Sequence, residues 1–68
     1  MDNNAKKLIE AMNELRTAFA KVNNLTENMT EEVATAFATD YPFEKSFDEL
    51  DYDVHVWVSN FADNVRGI

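Results

Sequence analysis

His55 stands four residues after Asp51 and four before Ser59, so a helix through this region sets a carboxylate, an imidazole and a hydroxyl along one side. That is the inventory of a hydrolytic triad or the start of a metal site. Nucleophilic catalysis asks for more, namely a nucleophile held against a base that a third group orients. Polar residues at i, i+4 occur in any polar helix. Zinc normally takes at least three protein ligands, and the chain has one histidine and no cysteine. His55 therefore reads as a solvated surface histidine, and neither enzyme activity nor a metal or cofactor is expected.

The denser group is Asp48, Glu49, Asp51 and Asp53, with Asp40 and Glu44 just before it. A calcium loop of the EF-hand type needs Gly at its sixth position and Glu at its twelfth. Counted from Asp51 those positions hold Val56 and Ala62, so calcium is rejected. Paired carboxylates of a glycosidase need a cleft that desolvates one acid and raises its pKa, and one small helix offers none. What remains is a solvated face or a protein-binding surface whose carboxylates meet Lys or Arg on a partner. Tyr52 and Val56 sharpen the second reading, being apolar where the acids face water. An aromatic anchor ringed by charge is common at interface hot spots. The candidate partner-binding residues are thus Asp48, Glu49, Tyr52, Asp53 and Val56.

Thirteen acidic and six basic side chains give a formal charge of −7. Residues 1–22 sum to +1, 23–39 to −3, 40–53 to −5 and 54–68 to zero. Such a field repels a phosphate backbone, so direct nucleic-acid binding and docking on anionic membranes are disfavoured, and a basic protein surface is the expected partner. In size, acidity and lack of catalytic groups the chain resembles small phage or mobile-element inhibitors, DNA mimics and anti-CRISPR proteins among them. The likeness is compositional, and it implies a non-enzymatic inhibitor that blocks a nucleic-acid-binding surface. The alternative is a structural, self-associating homodimer, closed by Ile9 and Ala20 of the first helix or by Tyr52 and Val56. No apolar leader opens the chain and no run of 18 apolar residues occurs. With cysteine absent, a cytoplasmic setting is expected.

The element that must carry the acids runs from residue 47 to 66. On a wheel of 100° per residue Phe47, Leu50, Val54, Trp57, Val58, Phe61, Ala62 and Val65 form one apolar stripe. Ser46 and Glu49 read as a capping box at its start. Tyr52, Val54, Val56 and Val58 alternate as a strand would, but over seven residues against about twenty for the helix. A helix over 3–22 follows from Leu8, Met12, Leu15, Phe19 and Val22, spaced 4, 3, 4 and 3, with Asn23 and Asn24 ending it. A second, over 27–40, starts from Thr26 or Thr30 and stops before Pro42, which disfavours helical geometry at Tyr41. Phe43 is expected to plug the gap between the second and third helices. One all-α domain results, a small three-helix bundle running up-down-up, with Trp57 and Phe19 in its core.

Overall fold

Two serine-type caps set the helix starts. Ser46 is extended at its backbone (φ −62°, ψ 156°) and its hydroxyl accepts from the Glu49 amide at 3.2 Å. Thr30 does the same for Val33 at 3.3 Å, which decides between Thr26 and Thr30. The computed structural model describes residues 3–67 and contains three helices: α1 (Asn3–Thr26), α2 (Glu31–Ala38) and α3 (Phe47–Arg66). Among the described residues there is no strand, so the alternation at 52–58 is carried on a helix. Asp48 and Glu49 occupy the first turn of α3 and Arg66 its last, charges that suit the helix dipole.

Helix α1 does not stop at Asn23 and Asn24 but runs on to Thr26, whose hydroxyl donates to the Asn23 carbonyl at 2.6 Å. Asparagine tolerates a turn without demanding one, and here Asn23 is held in helix by what its side chain bonds across the interface. Helix α2 has only eight residues, about 12 Å at 1.5 Å per residue. It stops where Asp40 takes a left-handed backbone, φ 59°, two residues before Pro42. So short a piece cannot retrace α1, and the chain begins α3 at the same end where α1 finished. Helices α1 and α3 are consequently antiparallel rather than the parallel first and third members of an up-down-up bundle. Phe19 stacks on Phe47 at one end, and Lys6 and Ile9 line a cleft with Ala62 and Arg66 at the other.

An aromatic chain fastens the α2 end. Phe47 stacks on Phe19 with centroids 5.1 Å apart and meets Phe37 edge-on at 5.8 Å. Phe37 touches Tyr41, and Tyr41 touches Phe43. The Tyr41 hydroxyl donates to the Lys45 carbonyl at 2.7 Å and closes the link. Phe43 is exposed at the end of this chain rather than plugging the helices; the link turns it outward once Tyr41 has filled the inner place.

The α1/α3 seam is narrow. Met12, Val58 and Val65 are its buried apolar residues, at 6, 3 and 9% exposure. Phe19, Leu50, Val54 and Phe61 are half-buried around them. Trp57, expected inside, is 55% exposed, and Leu8, Leu15 and Val22 are exposed as well. The reason is geometric: α1 has a single long neighbour. That neighbour covers the face centred on Met12, drawing in Ile9 and Ala20 and turning Leu8, Leu15 and Val22 out to the flank. The molecule is a rod, 47 × 18 × 18 Å, with a radius of gyration of 15.0 Å against about 11 Å for a compact domain of this length.

Candidate functional site

Away from its buried stripe α3 presents Asp48, Glu49, Tyr52, Asp53 and Val56, all exposed, with Asp48 at the edge that still reaches α1. Helical geometry alone puts them together, since positions 48, 49, 52, 53 and 56 recur at the 3- and 4-residue spacing of one face. Tyr52 is 70% exposed and Val56 40%. Tyr52 shares a shallow concavity with Asp48, Asp51 and His55, open to solvent.

Two of these acids are already engaged. Asp53 Oδ2 lies 2.7 Å from Lys45 Nζ, a pair exposed on both sides. The hydrogen bond from Lys45 to Asp53, with the attraction of that carboxylate, raises the Lys45 pKa above its usual 10.5. Asp48 Oδ1 accepts from Asn23 Nδ2 at 3.1 Å. Glu49 makes no side-chain hydrogen bond or close ion pair among the described residues, and its charge acts on Lys45 only at longer range. The Lys45–Asp53 pair could not be read from spacing, because the link brings the two side chains together. Asn23 could have been found: Phe47, Asp51, Val54, Val58, Phe61 and Val65 follow a 4-3-4-3-4 spacing in which Asp51 is the sole polar member, and a carboxylate on such a stripe needs a donor across it.

Asp51 has that donor only in part. Its Oδ2 accepts from Asn23 Nδ2 at 3.4 Å, while its buried Oδ1 has no hydrogen-bond partner. His55 Nδ1 lies 3.3 Å from Oδ1 but 2.8 Å from the Asp51 carbonyl oxygen. Nδ1 thus faces the backbone of its own helix more closely than the carboxylate. Ser59 is exposed, and among the described residues no hydrogen bond joins it to His55. The three do not form a relay. Among the described residues no group of three His, Cys, Asp or Glu is placed to hold a metal ion.

No helix of the described residues is long and apolar enough to cross a membrane. No protein-family model matches the sequence, and comparison with curated proteins and with solved structures returned no match.

Proposed function

We propose that the chain is a non-enzymatic protein-binding module that sets the outer face of α3 against a basic surface of a larger partner, in the manner of phage-type inhibitors that block nucleic-acid-binding sites. The observation that carries this reading is Tyr52, 70% exposed on the outer face of α3 with Glu49 and Asp53 beside it and Asp48 at the edge nearer α1. A bulky aromatic supplies contact area at small entropic cost, and the surrounding acids steer a cationic partner toward it.

Charge density shapes the proposal. Seven net negative charges along 47 Å amount to one per about 7 Å, roughly a quarter of the linear density of duplex DNA, which carries one per about 1.7 Å. Whole-surface imitation of a duplex is therefore weak, and recognition rests on the concentrated stretch from Asp40 to Asp53 together with Tyr52. The proposed setting is the cytoplasm, in keeping with the absence of cysteine.

The test is capture from the native host with the wild-type chain and with a Glu49→Lys/Tyr52→Ala variant. Both substitutions fall on exposed positions and remove no member of the Lys45–Asp53 and Asn23–Asp48 contacts. A basic protein retained by the wild type, released by salt and lost with the variant supports the reading. An identical captured set with both baits removes it.

A further inference from the structure

Helix α1 carries two interleaved apolar repeats, and α3 covers only one. Met12 and Phe19 belong to the covered repeat. The other is Leu8, Ala11, Leu15, Ala18, Val22 and Leu25, spaced 3, 4, 3, 4 and 3, with every member exposed. This is the a/d spacing with which one helix meets another. Trp57 extends the same surface. Lys6, Glu10 and Arg66 mark one flank of the α1/α3 pair by lining a common cleft. Leu8 and Leu15 lie on the other flank of α1, and Trp57 on the other flank of α3, so the hairpin has one apolar side.

We infer that a second copy of this chain covers that side, with the two α1 helices antiparallel. Size complementarity favours this arrangement. Centring the pair between Leu15 and Ala18 sets Leu15 against the partner's Ala18, and Val22 against the partner's Ala11, large against small in each layer. A parallel in-register pair would oppose Leu15 to Leu15 and Ala18 to Ala18, crowding one layer and leaving the next hollow. Leu8 would fall against the partner's Leu25, at the edge of the apolar cleft formed with Met29 and Val33.

Charge agrees with the same register. Lys7, Glu14 and Lys21 edge the seam, all exposed and with no ion-pair partner in their own chain among the described residues. In the antiparallel register Glu14 comes within about two residues, or 3 Å of axial rise, of the partner's Lys21, and the reciprocal pair forms by symmetry. Parallel pairing instead faces these charges with Met12 and Phe19. Net charge at the contact is small: α1 carries Lys6, Lys7, Arg16 and Lys21 against Glu10 and Glu14, a sum of +2, while most of the chain's acids lie outside α1. The exposed area fits as well. The chain exposes 5440 Å², about 1,000 Å² more than a compact protein of 7.8 kDa is expected to show, while one side of a standard interface buries about 800 Å².

Sedimentation velocity and light scattering on the full chain, across a concentration series at low and high salt, test this. The expected mass is twice 7.8 kDa, with dimer retained in high salt because apolar contact dominates. Emission from Trp57, the single tryptophan, should move to the blue as concentration rises. Ala18→Glu, at an exposed position, should give a monomer of unchanged helicity. Glu14→Lys should weaken the dimer severalfold, and Glu14→Lys with Lys21→Glu should restore it. A monomer at every concentration, a dimer indifferent to Ala18→Glu, or a charge swap that fails to restore pairing would each overturn the proposal. None of these results bears on the outer face of α3, so the proposed docking there stands or falls separately.

Discussion

Replacing Asp51 by leucine should make this protein more stable, although it removes a hydrogen-bonded carboxylate from a helix interface. Asp51 occupies a core position of the α3 stripe with its side chain 17% exposed, and one buried oxygen has no hydrogen-bond partner, only His55 Nδ1 at 3.3 Å. A buried polar atom left unsatisfied costs about 1–3 kcal/mol, and leucine fills the same position with apolar surface. Against this stand the loss of the 3.3 Å approach of His55 Nδ1, whose 2.8 Å contact with the backbone carbonyl remains, and of the 3.4 Å bond from Asn23, which is long and leaves Asn23 still bonded to Asp48. The net gain should be about 1–2 kcal/mol. Urea unfolding followed by far-UV circular dichroism reads it directly. With a slope of about 1 kcal/mol/M for so small a domain, the midpoint should rise by about 1–2 M. A second arm locates the cause: Asn23→Ala should destabilise the wild type more than it destabilises Asp51→Leu, because in the latter only the exposed bond to Asp48 remains to be lost. A fall in midpoint for Asp51→Leu would mean that the carboxylate is adequately solvated and that the interface depends on it.

Met12→Ala should cost about 2–5 kcal/mol, the range for emptying a closed core position, whereas Trp57→Ala under dilute, monomeric conditions should cost much less; thermal melts of the two variants should separate clearly. Phe47→Ala removes the ring that joins Phe19 to Phe37, and amide exchange should then quicken throughout α2 while the amides around Met12 keep their protection. The Lys45–Asp53 pair contributes while Lys45 is charged. With its folded pKa raised above 10.5, that contribution is complete below 10.5 and fades as pH climbs through the higher folded value. An NMR titration of the Lys45 side chain should show this elevated midpoint, and Asp53→Asn should return it toward 10.5.

Much of this architecture was legible because local chemistry decided it. Ser46 and Thr30 cap where a hydroxyl followed by acidic residues announced a helix start, and the span of α3 follows its apolar stripe from Phe47 to Arg66. What could not be read was which side of α1 would be covered. Leu8, Met12, Leu15, Phe19 and Val22 fall within one arc of a helical wheel, yet Met12 and Phe19 turn inward and the other three outward. That division depends on having one long neighbour, and the number of neighbours depends on the length of α2. The fold is the expected small all-α bundle of three helices, but α2 has only eight residues and leaves α1 and α3 to share the long seam. On the candidate face the five residues come together because one helix carries them all, but their partners Lys45 and Asn23 arrive from outside it.

Because α3 retraces α1, Asn3 and Arg66 stand at one pole of the rod, and the acidic link with the aromatic chain stands at the other. A tag, tether or neighbouring segment joined at either position leaves the distal pole projecting by most of the 47 Å length. A single copy immobilised through either attachment would display the region around Tyr52 clear of the support, whereas an antiparallel second copy would turn its own Tyr52 toward it.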